Sequence, residues 1–221
     1  MGLGGCTGSC WRSWNVRNRL EGQSGPVTPL FPLNTVLFPG GPLPLRIFEP
    51  RYVDMVRHCM RAHCPFGVLL IRAGSEVGAA GAGELSVVGT TARIVDFNAL
   101  PDGLLGITCI GERKFSVSKH WQQDDGLHVG DIELTAPEEP TDLPGEYHHL
   151  GELLRKVLPE LGDLYCNVPK HFSDAAWVGC RLAEILPIAL SEKQYCLELD
   201  DPIARLARLN PLIRKSDDER D

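Results

Sequence analysis

Apolar and polar residues alternate with a period close to two between Val27 and about Pro137. This period places apolar side chains on one face of a strand, so it predicts a β-rich region. The predicted strands are Leu43–Phe48, Phe66–Arg72, Leu85–Phe97, Leu104–Ile110, Lys114–Trp121 and His128–Leu134. Turn sequences separate them, and Pro101-Asp102-Gly103 and Gly111-Glu112 each predict a hairpin. Short strands at regular spacing favour a closed or nearly closed barrel.

One predicted helix interrupts this region at about residues 50–63. Pro50 suits the first helical turn, where its missing N–H needs no partner. Apolar residues then recur at helical spacing from Tyr52 to Met60, and Pro65 ends the element. The pattern predicts a helix that is buried along one side.

A helical period of 3.6 replaces the strand period after the acidic segment 137–140. Four helices are predicted: one over Tyr147–Leu158, one from Asp174 to Pro187, one capped by Ser191-Glu192-Lys193-Gln194, and one from Pro202 with a kink near Pro211. The sequence therefore predicts an α+β fold, with a β-rich barrel in residues 26–137 and an α-helical bundle in residues 138–215.

Both ends of the chain lack these periods. Residues 1–25 are rich in Gly, Ser, Asn and Arg and predict a disordered leader, and residues 216–221 predict a disordered tail. No apolar run approaches the roughly 20 residues that span a bilayer, so no membrane partner is expected. The eight cysteines are scattered, without a CxxC pair or a secretory signal, which indicates free thiols and a cytoplasmic protein.

The charge balance argues against one class of partner. The formal net charge is −7, whereas unspecific nucleic-acid binding relies on a basic field. The basic cluster in the predicted barrel consists of Arg93, Arg113, Lys114 and Lys119. RNA binding is an alternative function that requires these four side chains to form one surface stripe.

Candidate chemistry is sparse, and no catalytic residue, metal or cofactor is predicted. Ser116-Val117-Ser118-Lys119 matches an SxxK motif, but its strand context puts Ser116 and Lys119 on opposite faces. A hydrolase that uses this pair is the least favoured alternative. His58–Cys64 and Glu146–His149 lack the second ligand set that a metal site needs. The glycine-rich loop 73–83 lacks a phosphate-binding motif.

Several motifs resemble the N-terminal domain of Lon proteases. They begin with Phe31-Pro32-Leu33, Leu37-Phe38-Pro39-Gly40, Leu43-Pro44-Leu45-Arg46-Ile47-Phe48-Glu49 and Arg51-Tyr52. Later matches are Phe66-Gly67-Val68, Gly89-Thr90-Thr91-Ala92-Arg93-Ile94, the hairpin-like Gly106–Phe115, Lys193–Glu198 and Arg205-Leu206. The first group is specific, and the others are looser but follow in the same order over about residues 27–213.

The resemblance implies a fold and a role. Lon N-terminal domains pair a PUA-like β pseudo-barrel with a helical bundle, and they help to capture protein substrates. Full Lon proteases continue into an AAA+ ATPase and a Ser/Lys peptidase, and no GxxxxGKT motif occurs in these 221 residues. We therefore expect a stand-alone, bacterial, non-catalytic module that binds a polypeptide or a partner protein and acts as an adaptor in protein quality control.

The expected binding surface is the apolar segment before the first predicted helix. Its apolar candidates are Phe31, Leu33, Val36, Leu37 and Phe38, which exceed what an interior face needs and predict an exposed patch. The charged candidates are Arg46, Glu49 and Arg51, for which an ion-pair network that fixes the helix to the barrel is the favoured interpretation. The partner and the oligomeric state stay open.

Overall fold

The computed structural model describes residues 27–73, 83–166 and 168–218. The predicted leader, most of the glycine-rich loop 73–83 and the last three residues of the predicted tail lie outside the described residues. The structure therefore addresses the predicted barrel and bundle, and the prediction for residues 1–25 stays a prediction.

Seven strands form one sheet in the first half of the chain. Their bounds are β1 (Thr28–Leu33), β2 (Pro42–Ile47), β3 (Phe66–Ala73), β4 (Glu84–Leu85), β5 (Val88–Ala99), β6 (Leu105–Gln122) and β7 (His128–Leu134). Strands β1, β7, β6, β5 and β3 pair in that order, and a parallel pairing of β1 with β3 closes the ring. Strand β2 adds to β6, and β4 adds to β3. The predicted pseudo-barrel is confirmed.

Strand β1 was not among the predicted strands, although it closes the barrel. All six of its residues are buried, and two of them are prolines. Its residues from Leu30 to Leu33 pair with Gly67 to Leu70 of β3, and Thr28 to Leu30 pair with β7. A strand that is covered on both faces shows no alternation of apolar and polar residues, and its prolines hide it further.

Strand β6 is a single strand of 18 residues, so the predicted hairpin at Gly111-Glu112 is wrong. Gly111 is a glycine for a different reason: a Cβ there would collide with the carbonyl oxygen of Phe38. Gly111 forms two backbone hydrogen bonds with residues 34–41, which connect β1 to β2 and are called the proline-rich loop below. Its carbonyl accepts from Gly40 N at 2.8 Å, and its N–H donates to Gly41 O at 2.9 Å. Glycine is therefore needed at position 111 because two backbones approach closely there, and not because the chain turns.

The helices are α1 (Pro50–Ala62), α2 (His148–Val157), α3 (Ala175–Ile185), α4 (Leu190–Glu198) and α5 (Pro202–Asp218), with 3-10 segments at Gly145–Tyr147 and Leu158–Tyr165. Helix α1 matches its prediction, and Asp174 caps α3 by accepting from Ala176 N. The predicted α+β order of barrel and helical part is confirmed. Helix α5 continues through Pro211 and extends three residues into the predicted tail.

The predicted capping box at Ser191 is wrong. The N-cap of helix α4 is Ala189, two residues before the predicted cap, and Ser191 lies inside the helix. Gln194 instead donates through Nε2 to the carbonyl of Val88 in β5 at 3.0 Å and to Glu198 at 2.8 Å. A tertiary contact with the barrel has replaced the local capping interaction.

Two main cores meet at the junction of barrel and helices. One fills the barrel beneath α1, and the other is built mainly from α2 to α5. Val36, Phe38 and Leu70 belong to the helical core although they come from the barrel half of the chain. The two halves therefore share a continuous apolar contact.

Candidate functional site

The predicted apolar patch is not on the surface. Its five side chains are all buried, with exposed fractions of 7% or less, and they divide between the two cores: Phe31, Leu33 and Leu37 in the barrel, Val36 and Phe38 among the helices. The expectation that this segment is exposed is therefore wrong. The closed barrel and the packed helical part provide more interior than the sequence pattern of one segment indicates.

The predicted charged residues form two separate ion pairs, and only one of them lies at the start of α1. Arg51 contacts Glu49 at 2.6 Å and donates through Nη1 to the carbonyl of Gly126 at 2.9 Å, which ties α1 to the loop before β7. Arg46 pairs with Asp102 at the β5–β6 hairpin. A cavity of about 60 Å³ brings Arg46 and Glu49 next to Phe31 and Leu33. A binding role for these residues stays a prediction.

Among the described residues, neither the Ser116/Lys119 pair nor the four basic residues form the arrangement that the hydrolase or RNA-binding alternative requires. A register shift between Val117 and Lys119 places Ser116 opposite Glu133 and Lys119 opposite Asp131, which puts both on the same face of the sheet, so the prediction of opposite faces is wrong. Lys119 Nζ lies 5.9 Å from the ring centre of Trp121. The four basic candidates for RNA do not form a free stripe, because Arg93 pairs with Glu112 and Lys114 is buried against Asp200. Across the described ranges, no three His, Cys, Asp or Glu side chains are grouped to hold a metal ion.

The open edge of the sheet lies along the second half of β5. Strand β3 pairs with β5 only at residues 90–92, whereas β6 pairs with it as far as Ala99. Within the part of the chain that the structure describes, residues 93–99 therefore have a strand neighbour on one side only. Phe97 N–H donates to its neighbour's carboxylate, Asp96 Oδ1, at 2.9 Å. Such an edge presents backbone groups that an extended chain can pair with.

A groove runs beside this edge, and we call it the β5-edge groove. It has a volume of about 280 Å³ and is lined by Cys59, Met60, His63 and Cys64 at the end of α1 and by residues 93–97 of β5. Phe97 is 58% exposed and Val95 is 45% exposed, so the β5 side of the groove carries apolar surface. An apolar groove beside an unpaired strand edge is the geometry of sites that bind a peptide by strand addition.

Sequence reasoning missed this site because it predicted Leu85–Phe97 as one strand of the barrel and could not show that its second half lies at an edge. One signal was available: Ile94, Val95 and Phe97 put three apolar residues in four positions. A strand with one buried face needs an apolar residue only at every second position, so this segment has more apolar residues than one buried face requires.

A second cavity lies in the seam between barrel and helices, and we call it the seam cavity. It has a volume of about 200 Å³, and its walls are Pro39, Glu112, Arg113, Lys114, Ala136, Pro137, Glu138, Ala176, Trp177 and Cys180. Burial raises the pKa of the Cys180 thiol, which therefore stays protonated and is a poor nucleophile at neutral pH. The wall combines apolar surface with charged side chains of both signs.

Buried ion pairs hold this seam together. The guanidinium of Arg205 makes a bidentate contact with the Glu138 carboxylate at 2.6 and 2.9 Å and also donates to the carbonyls of Cys196 and Leu199. Lys114 reaches across from β6 to Asp200 at 2.6 Å. These contacts fix the strand, the connecting segment and α5 relative to one another.

A second buried ion pair, on α3, contacts the proline-rich loop. Arg181 contacts Glu184 at 2.7 Å and donates to the carbonyl of Pro39 at 3.0 Å. The hydroxyl of Tyr165 donates to Glu184 at 2.5 Å. Desolvation raises the pKa of the Glu184 carboxyl, while Arg181 opposes that shift. The loop is therefore held in place by charge as well as by packing.

Comparison with known proteins places this architecture in a family. The profile of the ATP-dependent protease La (LON) substrate-binding domain matches residues 27–215, which span both the barrel and the helical part. This chain belongs to the Lon substrate-binding domain family. The predicted resemblance is confirmed, and it extends over nearly all of the described residues.

Solved structures of the family share the fold. A Lon N-terminal domain protein from Xanthomonas campestris is 36% identical, with a TM-score of 0.68, and the match covers 84% of this chain and 97% of that one. The N-terminal domain of the Mycobacterium avium complex Lon protease shares the fold at 18% identity and a TM-score of 0.58, over 83% of this chain and 95% of that one.

Curated relatives are full Lon proteases. Lon protease 2 of Myxococcus xanthus is 27% identical over 195 residues, which is 86% of this chain and 24% of the relative. Lon protease of Anaeromyxobacter dehalogenans is 25% identical, over 86% of this chain and 23% of the relative. The chain thus spans about a quarter of the length of these relatives.

Proposed function

We propose that this protein is a non-catalytic module that binds extended or unfolded polypeptide segments at the β5-edge groove. The observation that carries this proposal is the one-sided pairing of residues 93–99 beside a groove with exposed Phe97. Membership of the substrate-binding domain family supports the polypeptide as the partner.

The geometry favours an extended chain over a folded partner. Backbone groups along residues 93–99 recognise the main chain of any sequence, and the apolar groove takes alternate side chains of the added strand. A module that must accept many unfolded substrates benefits from such recognition, because the main chain is common to all of them. Phe97 N–H would exchange its contact with Asp96 for the incoming carbonyl.

Phe97→Asp tests the location. A charge in the apolar groove should weaken binding of a fluorescein-labelled, reduced and alkylated α-lactalbumin by at least about tenfold, because it must be desolvated against apolar side chains. Fluorescence anisotropy measures the dissociation constant. Phe97 is mostly exposed, so the fold should tolerate the change.

Val87→Asp is the matched control, because Val87 is 59% exposed and lies before β5, outside the groove. Its affinity for the same probe should equal that of the wild type. Equal weakening by the two variants would contradict the proposed location, and no binding by the wild type would contradict the function.

We further propose a cellular role for this binding: the module acts in the cytoplasm as an adaptor in protein quality control. No disulfide joins any two of the six described cysteines, which suits a reducing compartment. No described helix combines the length and apolarity that crossing a membrane requires. Affinity capture with the wild type and with Phe97→Asp tests the adaptor role. An adaptor should retain a partner protein that the Phe97→Asp variant does not retain.

A further inference from the structure

Two acidic and two basic residues line the seam cavity, and among the described residues one of the basic residues has no ion-pair partner. Three of its four charged wall residues have opposite charges beside them: Lys114 contacts Asp200, Glu138 contacts Arg205 and Glu112 contacts Arg93. The fourth is Arg113, which no carboxylate pairs with among the residues that the structure describes.

Arg113 is held in place by neutral groups alone. Its Nη2 donates to the carbonyl of Thr135 at 2.7 Å, and its backbone N–H donates to Thr91 Oγ1 at 3.1 Å. Its Nε is shielded from solvent and has no acceptor in the described residues. A half-buried cation that lacks a counter-charge favours an anion in the adjoining space, because a charge-assisted hydrogen bond offsets its desolvation.

The rest of the wall suits an apolar group. The indole of Trp177 and the side chains of Pro39, Ala136, Pro137 and Ala176 border the same space of about 200 Å³. Pockets with mostly apolar walls and one placed polar group fix the orientation of a ligand through that group. The chemistry that fits is a single carboxylate attached to one apolar side chain.

We propose that the seam cavity binds the C-terminal residue of a polypeptide, with its carboxylate on Arg113 and its apolar side chain against Trp177. The C-terminal residue is the one place in a polypeptide where a main-chain carboxylate and an apolar side chain share a carbon atom. This inference rests on the proposed function, since it adds a terminal contact to the recognition of polypeptides. The seam cavity is a different surface from the β5-edge groove, since the two share no lining residue.

Two forms of one peptide test the proposal. A short fluorescein-labelled peptide that ends in leucine is prepared with a free carboxylate and with a C-terminal amide. The wild type should bind the free acid at least about tenfold more tightly, as expected for one charge-assisted hydrogen bond. Fluorescence anisotropy gives both dissociation constants.

Two variants remove the site in different ways. Arg113→Met removes the cation, and Ala176→Leu fills the cavity while it leaves every charge in place. Both should lose the preference for the free acid. Arg208→Met is the control, because Arg208 lies on the exposed side of α5 in a pair with Glu192 and should keep the preference. Thermal unfolding confirms that each variant is folded.

The outcomes separate this inference from the proposed function. Equal affinity of the wild type for acid and amide, with binding retained, overturns the terminal site and leaves the groove intact. A preference that survives in folded Arg113→Met or Ala176→Leu also overturns it. Binding of N-acetyl-leucine without binding of either peptide would assign the cavity to a small acid and overturn the polypeptide as its occupant. Loss of the preference in both variants supports the site.

Discussion

His128, at the start of β7, shows what burial does at the scale of a single residue. It is 6% exposed, and its Nε2 accepts a hydrogen bond from Gln122 Nε2 at 2.9 Å. Burial, with the positive charges of His120 and Arg51 nearby, lowers the pKa of His128 to about 4. The unfolded chain takes up the proton near pH 6.5, so the stability that is present above that pH is lost as the pH falls towards 4.

We therefore expect the free energy of unfolding of the wild type to fall by about 3 kcal/mol more than that of His128→Gln between pH 7 and pH 4. Urea denaturation at a series of pH values measures the difference. His149→Gln is the control, since His149 is exposed on α2. A wild type and a His128→Gln variant with parallel pH profiles would contradict the assignment.

At the scale of the element, β6 depends on close approach of the proline-rich loop. Gly111→Ala places a Cβ against the carbonyl of Phe38, so either the loop or the strand must move. We expect a loss of about 1–3 kcal/mol in the free energy of unfolding, as is typical of overpacking. Gly145→Ala is the control, because a Cβ there meets nothing within 4 Å and should change stability by less than about 0.5 kcal/mol. Equal free energies of unfolding for the two variants in urea would contradict the prediction, because the loop or the strand would then have moved without a measurable cost.

At the scale of the whole molecule, buried ion pairs join barrel and helices. Arg205 is 1% exposed, so Arg205→Met removes the bidentate donor of the Glu138 carboxylate and the side-chain donor of the Cys196 carbonyl, while the Leu199 carbonyl keeps Lys114 Nζ at 3.3 Å. We expect a loss of about 3–5 kcal/mol in the free energy of unfolding, with barrel and helices still unfolding together because they share an apolar contact.

Arg208→Met removes an exposed pair with Glu192 and should cost less than about 1 kcal/mol. Circular dichroism reports the helices, and the fluorescence of Trp121 reports the barrel, in a background that lacks the other tryptophans. Two separate transitions in the wild type would contradict the shared core.

The sequence by itself determined the α+β class, the order of barrel and helices, helix α1 and the family. Each follows from periodicity or from a motif within one segment, and a hydrophobic period describes a residue's neighbours on its own element. The exposed patch predicted for Phe31, Leu33, Val36, Leu37 and Phe38 was wrong, because the pattern of one segment does not show whether a second layer covers it.

Tertiary structure alone decided what covers each surface. It closed the barrel through β1, which buried the predicted patch, and it ended the pairing of β3 with β5 at Ala92, which opened the edge beyond. It also placed Arg113 of β6 and Trp177 of α3, 64 positions later in the chain, in the wall of the same cavity. Burial and strand pairing depend on contacts between distant segments, and these contacts leave no period in the sequence of either one.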